Sequence, residues 1–391
     1  MTDFSDKALL PAGFSDVLAP DADFEASVLN RLLRCFSGHG YDRVEPPLIE
    51  FEDGLLTGIG AGLAEQTFRL MDPESQRMMA VRADITPQVA RIAQARLAKA
   101  PRPLRLSYAG QVLRVRGSQL RPERQFTQVG AELIGAAGPA ADAEVIAMAA
   151  GALIELGVAE LSCDLGLPAL VPAVSGDADP SLQAKLRQAL DRKDAAAVAG
   201  LGGELGEALT QTLAAMLSAA GPAAKTLDAL GGLGLESDAE DGRKLLADVV
   251  DRVRAARPDL KLTIDPVENR GFEYHTGVTF TFFAKGVRGE LGSGGRYAAN
   301  DDDANGGEPA TGFTLFMDTV LRALPAPVTA SRVFLPAGTP AEEAAKLRAK
   351  GWIAVASLDQ GADAETEAKR LACSHLLDGG KIKEIGKKKK G

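Results

Sequence analysis

The sequence predicts an α+β protein in two parts, a larger one of antiparallel hairpins and helices and a smaller α/β unit that closes the chain. Three observations predict it. Hairpin patterns at residues 65–84, 105–135 and 278–297 are bounded by Gly, Pro or Asp/Ser turns and separated by helical repeats. Between 169 and 258 alanine and leucine dominate and aromatic residues vanish, which reads as a helical insertion. Beyond a linker at 325–329, short apolar strands alternate with helices, the pattern of a βαβ unit.

Length and composition fit this reading. At 391 residues the chain exceeds one typical domain, so two or three are expected. Hydrophobic residues at 46% and charged residues at 25% are the balance of a soluble globular protein. A formal net charge of −9 argues against a nucleic-acid footprint, which shows as a basic face. The lysine run 387–390 reads as a solvated tail. Cys35, Cys163 and Cys373 lie far apart without C-x-x-C spacing, so neither a disulfide framework nor a metal site is indicated. The N-terminal residues are acidic where a signal peptide is basic, and no run is long enough to span a bilayer; a cytoplasmic location is expected.

In chain order, LPAGFSD at 10–16 is turn-rich. Phe24, Val28, Leu32 and Phe36 then recur at helical spacing, and the helix stops at Gly38 and Gly40. GYDRVEPP at 40–47 reads as a strand that Pro46 and Pro47 confine to an edge or an interface. In the first hairpin Asp72-Pro73-Glu74-Ser75 is the turn. Thr86 as N-cap and Pro87 at the first helical position open a helix to about residue 98. Asp84, between strand end and helix start, either presents its carboxylate into a cleft or serves the helix dipole.

The central hairpin carries the most informative pattern. From 125 to 134, Phe126, Gln128, Gly130, Glu132 and Ile134 share one face while Thr127, Val129, Ala131 and Leu133 share the other. The second face is an ordinary core face. The first sets an amide and a carboxylate four residues apart around a glycine. That is a floor for a small polar ligand, because the missing side chain leaves room between two hydrogen-bonding groups. Residues 106–115 read as the partner strand.

Residues 142–156 are helical and 160–166 read as a strand; LQAKLRQAL, GEALTQTLAAML and GRKLLADVVDRV are helices of the insertion. No G-x-G-x-x-G or Walker loop occurs, so no mononucleotide motif and no cofactor are expected. Strand character returns at 260–264 and 278–283, and Lys285-Gly286 turns the chain into a strand through Gly292, Gly294 and Gly295. These glycines let either the sheet bend or a ligand lie directly on backbone. A short strand and a helix fill 310–324. In the last unit VFLPAG, WIAVASL and HLLDGGKIKEI read as strands around helices at 340–350 and 364–373. His39 and His375 have no partner spacing and read as structural.

Several of these segments, in this order, match the motifs of one family. GYDRVEPP resembles the class II dimer-interface motif, and VRADITPQVAR the segment that binds the histidine amino group. LRVRGSQLRPERQFTQVGAELIG resembles the second class II motif, NRGFEYHTG and GSGGRYAAN two histidine-specific motifs, and ATGFTLFMDTV stands in the place of the third class II motif. Over residues 8–325 the chain thus resembles the histidyl-tRNA synthetase fold of the class II synthetases, and most closely its paralogues, the regulatory subunits of ATP phosphoribosyltransferase.

The resemblance implies a class II aminoacyl-tRNA synthetase-like antiparallel sheet flanked by helices, formed by 1–168 and 259–325. The helical insertion would span 169–258, the C-terminal α/β domain 330–386 and the tail 387–391. It also implies a histidine pocket. Asp84, Thr86 and Gln128 would take the ligand ammonium, Glu132 would face the imidazole, and Arg270 would lie near the carboxylate. Arg114, Tyr274 and His275 complete the implied site, His275 standing where family members commonly place a second tyrosine.

On the nucleotide side the sequence departs from the synthetases. Thr319 stands at the place of the third motif's arginine, and Arg116 and Gly117 stand at the Glu and Arg positions of the second motif. A neutral hydroxyl does not neutralise phosphate, and a lost charge-assisted contact costs about 1.5–3 kcal/mol. The C-terminal unit is too short for the full anticodon-binding domain. The resemblance therefore implies a protein without catalysis, cofactor or metal of its own, binding neither tRNA nor membrane. It would associate, through a homodimeric core, with the short-form catalytic subunit of ATP phosphoribosyltransferase in the first step of histidine biosynthesis. It would carry L-histidine feedback to that hetero-oligomer. The alternatives are an active histidyl-tRNA synthetase and a free-standing histidine-sensing module.

Overall fold

In the computed structural model, which describes residues 9–176, 179–268, 274–300, 307–327, 330–361 and 363–386, the first helical repeat forms α1 (Asp21–Gly38). Its buried residues Val28, Leu32 and Phe36 fall four apart on one stripe. Strand β1 (Asp42–Arg43) has only two residues. Strands β2 (Ile49–Phe51), β3 (Arg69–Met71) and β4 (Met78–Val81) form a small antiparallel sheet in the order β2-β4-β3. The carboxylate of Asp72 holds the β3–β4 turn by accepting from the backbone N–H groups of Glu74 and Ser75.

Helix α2 (Thr86–Ala95) follows. Thr86 lies inside this helix, not at its cap, and Asp84 satisfies one of its free donors, accepting from Thr86 N–H at 2.9 Å. Strands β5 (Leu104–Leu113) and β6 (Gln125–Ile134) then pair antiparallel, with Tyr108 opposite Gly130 and Leu106 opposite Glu132. Helix α3 (Pro139–Leu156) is buried around most of its girth, its alanines allowing close approach, and Gly157 ends it at φ 106°. Beyond β7 (Leu161–Gly166) come α4 (Pro180–Asp191), α5 (Glu207–Ala219), β8 (Gly221–Pro222), α6 (Ser237–Ala256) and β9 (Lys261–Ile264). Strands β10 (His275–Ala284), β11 (Gly292–Ala298) and β12 (Pro309–Phe316) lead into α7 (Met317–Ala323).

Among the described residues nine of these strands join in the order β1-β5-β6-β12-β11-β10-β7-β9-β8. The sheet is antiparallel through its centre and parallel only at β1–β5 and β7–β9. One face meets α1 and α3 through Val129, Ala131, Leu133 and Phe313. The other meets α2, where Ile85 and Val89 pack with Tyr108, Phe126 and Tyr297. Leu186, Leu213, Met216, Leu246 and Val250, from α4, α5 and α6, are buried in the same apolar cluster as the α1/α3 face. Each such side chain contributes about 1.5–3 kcal/mol by leaving water, so these helices are held to the sheet by ordinary core packing.

The chain divides into two compact units, Met1–Pro325 and Ala326–Gly391. In the second, β13 (Arg332–Leu335), α8 (Ala341–Ala349), β14 (Ile353–Ala356), α9 (Ala364–Arg370), β15 (His375–Asp378) and β16 (Lys381–Glu384) form a sheet in the order β14-β13-β15-β16. The first three strands are parallel, as the alternating pattern predicts. The last returns antiparallel through Gly379 and Gly380, both at positive φ. Among the described residues no helix is long and apolar enough to cross a membrane.

Candidate functional site

On the α2 side of the large sheet, the strand register brings polar side chains onto a floor without side chains of its own. Glu132 on β6 is paired with Gly312 on β12, which is paired in turn with Gly295 on β11. A Cβ on Gly312 would lie 1.8 Å from Glu132 Oε2, and one on Gly295 would lie 2.6 Å from the His275 ring. The two glycines therefore form a trough that Glu132 enters from one side and His275 from the other. The space beside these glycines of β11 and β12 is taken by the two side chains.

Glu132 is buried and surrounded by hydroxyls. Its Oε2 accepts from the Tyr297 hydroxyl at 2.9 Å, and its Oε1 from Thr86 Oγ1 and the Tyr108 hydroxyl, both at 3.3 Å. Tyr108 is tied in addition to Thr314 Oγ1 at 2.7 Å. Burial pushes the Glu132 carboxyl up to about 8, with the neighbouring charge of Asp84 adding to the rise and the hydroxyl donors opposing it. A protonated Glu132 both donates and accepts, which matches a partner that itself carries one donor and one acceptor nitrogen.

Asp84 and Gln128 make the second polar group. Gln128 Nε2 donates to Asp84 Oδ2 at 2.8 Å while its Oε1 accepts from Ile85 N–H at 3.1 Å. Arg114 donates from Nε to the Ala83 carbonyl and holds its Nη2 4.0 Å from Asp84 Oδ2, with its guanidinium over the Phe126 ring. One oxygen of Asp84 thus serves the start of the helix and the other takes the Gln128 amide. Thr86 joins the two groups, its backbone on Asp84 and its hydroxyl on Glu132.

Tyr274 and His275 form the outer wall, their rings 4.0 Å apart, and Tyr274 is 44% exposed. The cavity these residues enclose with Thr86, Glu132, Tyr297 and Thr314 is only about 20 Å³, the room of a single water. A larger cavity of about 880 Å³ lies between the short helix Leu170–Ser175 and α4, but it is an open groove away from this network.

Seven of the eight site residues expected from the sequence, Asp84, Thr86, Arg114, Gln128, Glu132, Tyr274 and His275, gather at this cavity or beside it. Arg270 lies outside the described residues. The sequence reading missed Tyr108, Tyr297 and Thr314. It also assigned the space at Gly130 to a ligand, whereas a Cβ there would lie 2.5 Å from the Tyr108 hydroxyl. Counting the β5 and β6 registers outward from their loop places Tyr108 opposite Gly130 and would have found it.

The residues that the resemblance sets on the nucleotide side are arranged differently. Thr319 is buried, donates to Asp318 Oδ2 at 3.2 Å and accepts from Arg322 Nη2 at 3.1 Å. Arg121, in the loop between β5 and β6, pairs with Asp318 at 3.2 Å and sits over the Phe316 ring at 3.8 Å and the Phe126 ring at 5.0 Å. Arg116 and Gly117 are exposed on the same loop. A guanidinium of the chain itself thus occupies the space between the two aromatic rings and the acidic end of α7.

Residues 13–320 match the family model for histidyl-tRNA synthetase. The chain is 57% identical, over 97% of its length and 96% of the relative's, to a Rhodospirillum centenum protein named ATP phosphoribosyltransferase regulatory subunit. A protein of the same name from Paramagnetospirillum magneticum is 56% identical over 98% of this chain and all of its own. Among solved structures, a Bacillus halodurans protein described as an ATP phosphoribosyltransferase regulatory subunit/histidyl-tRNA synthetase superposes at 25% identity. The TM-score is 0.80, over 93% of this chain and 96% of the other. The histidyl-tRNA synthetase of Nostoc shares the fold at 18% identity and a TM-score of 0.77, over 95% and 91% of the two chains.

Proposed function

The chain belongs to the family of ATP phosphoribosyltransferase regulatory subunits, built on the class II histidyl-tRNA synthetase fold, and from that premise we propose that it binds L-histidine at Glu132 without catalysing a reaction. Through that pocket it regulates a hetero-oligomeric ATP phosphoribosyltransferase whose catalytic subunit is of the short form. The observation that carries this reading is the contrast within one site. The half that would hold the amino acid is a hydrogen-bonded set around Glu132, Asp84 and Gln128, while the half that would hold a nucleotide has Thr319 and the chain's own Arg121.

In this reading the imidazole meets Glu132, and the ammonium meets Asp84 Oδ2 and the Thr86 hydroxyl, with Arg270 toward the carboxylate. Carboxylates accept from ammonium and imidazole N–H, and the hydroxyls of Tyr108 and Tyr297 keep Glu132 oriented. A histidine is far larger than the cavity of about 20 Å³, so binding moves Tyr274 and His275, the outermost wall, away from the trough. Such a movement gives the ligand two states to prefer between, which feedback requires, since equal affinity for both shifts nothing.

A homodimeric core is part of the same proposal. The small sheet that follows the segment resembling the class II dimer motif, residues 40–47, exposes Ile49, Phe51, Met71 and Met78, with Leu48 beside it.

The test is calorimetry with L-histidine and with other amino acids, combined with a histidine-dependent ATP–pyrophosphate exchange assay. Saturable binding selective for histidine with no exchange supports the proposal. Exchange at a synthetase-like rate overturns it in favour of an aminoacylating enzyme.

A further inference from the structure

Three carboxylates converge where β7 meets the turn after β9, and a lysine from the helical segment meets them. Asp164 ends up on β7, Asp265 and Glu268 on the turn after β9, and Lys193 just past the end of α4. Lys193 Nζ lies 2.6 Å from Asp265 Oδ2 and 3.9 Å from Glu268 Oε2; the Asp265 side chain is 14% exposed and that of Lys193 37%. Lys193 lies just past the end of α4 in the left-handed region at φ 54°, where the N–H of Asp194 returns to the Ala189 carbonyl and closes the helix. Asp164 is bonded to the Thr263 hydroxyl at 2.8 Å, and its carboxyl is raised by burial first and then by Asp265 and Glu268.

The turn that Lys193 clamps is joined to the pocket wall through described residues. Asp265 is its hub: its N–H donates to the Leu165 carbonyl, and its carboxylate accepts from Val267 N–H. A Cβ on Gly166 would lie 2.9 Å from Thr279 Oγ1 and within 3.9 Å of the carbonyls of Asp265 and Glu268. Turn, β7 and β10 therefore meet at this one glycine. Thr279 is also where β10 resumes regular pairing after the irregularity that follows His275. The His275 end of β10 thus has fewer ladder bonds of its own.

We propose that Lys193 is a positioning residue for the pocket: by bridging Asp265 and Glu268 it seats the turn against Gly166 and Thr279 and so sets the place of Tyr274 and His275. The proposal rests on the histidine-pocket reading for its ligand effect, but its structural half stands independently. Without the ammonium, Asp164 and Asp265 repel each other in a half-buried space, and the turn lifts from β10. Arginine at 193 retains the charge and much of the reach; methionine retains the length and not the charge.

The test compares the full chain with Lys193→Met, Lys193→Arg and the double variant Lys193→Met/Asp265→Asn, whose amide oxygen still accepts from Val267 N–H. Hydrogen exchange is followed over residues 275–284, and L-histidine affinity by calorimetry. In Lys193→Met, exchange there is expected to speed up about tenfold and histidine affinity to fall about tenfold, the size of a modest partly buried ion pair. Lys193→Arg should restore both, and the double variant should restore exchange in part because one repelling charge is gone. Wild-type exchange over 275–284 in Lys193→Met overturns the clamp, as does a double variant no better than the single one. If the wild-type chain binds no histidine, the pocket reading fails, and the exchange data still decide on the clamp.

Discussion

Glu132→Gln separates the charge of the pocket from its packing. Burial, reinforced by Asp84, raises the Glu132 carboxyl from 4.5 in the unfolded chain to about 8 in the fold, against the hydrogen bonds from Tyr297, Thr86 and Tyr108. Between those two values the folded protein binds more protons than the unfolded chain, so stability falls as the pH rises. The contribution is fully present below 4.5 and is lost by the time the pH has passed about 8. From pH 5.5 to 7.5 the loss amounts to about 2–3 kcal/mol. Glutamine keeps the shape and remains neutral throughout, and its amide can donate to a tyrosine oxygen where the carboxylate accepted. Urea unfolding of both proteins at pH 5.5, 6.5 and 7.5 reads the difference directly. Asp142 and Asp164, also raised by burial, are present in both proteins and cancel. The stability of wild type relative to the variant should drop by about 2–3 kcal/mol across this range. A flat difference refutes the inference that Glu132 takes up a proton on folding.

Gly312→Ala sets a methyl group 1.8 Å from Glu132 Oε2 and 2.6 Å from the Ala131 carbonyl. It should cost about 1–3 kcal/mol in urea unfolding and abolish histidine binding; wild-type affinity would remove the Glu132 trough from the site. Arg121→Ala releases the β5–β6 loop from Asp318 and should cost about 1.5–3 kcal/mol. It should yield no ATP–pyrophosphate exchange, because Thr319 still supplies no charge; measurable exchange would show that Arg121 alone blocks that chemistry. Tyr41→Phe removes a 3.0 Å hydrogen bond to Glu144 on the far face of the sheet and should cost about 1 kcal/mol while leaving histidine affinity unchanged. A changed affinity in calorimetry would mean that the two faces are coupled.

Much of this was legible in the sequence because the signals are local. The stripe of Val28, Leu32 and Phe36, the Asp72 turn and the alternation of β6 are written in spacings of two to four residues, and each element forms where its pattern lies. Alternation also placed Gln128 and Glu132 on one face. What the pattern could not supply was the register between strands distant in sequence. Tyr297 reaches Glu132 across β12, and Thr314 reaches Tyr108 across β6, only because Gly312 and Gly130 leave space at the crossings. Period-two alternation names the face of a residue but not its neighbour on the next strand. The Arg121 contact with Asp318 spans nearly two hundred residues and is invisible to any local pattern. The same holds for the Lys193 clamp, where a helix end and a turn meet through folding alone.

The most direct measurement of the proposed role is the activity of the short-form ATP phosphoribosyltransferase catalytic subunit, with and without this chain, across a histidine titration. The expected result is that activity rises when the chain is added, falls as histidine is raised, and becomes less sensitive to histidine with Glu132→Gln. Activity indifferent to the chain, or inhibition by histidine that persists unchanged with Glu132→Gln, would contradict a regulatory pocket at Glu132.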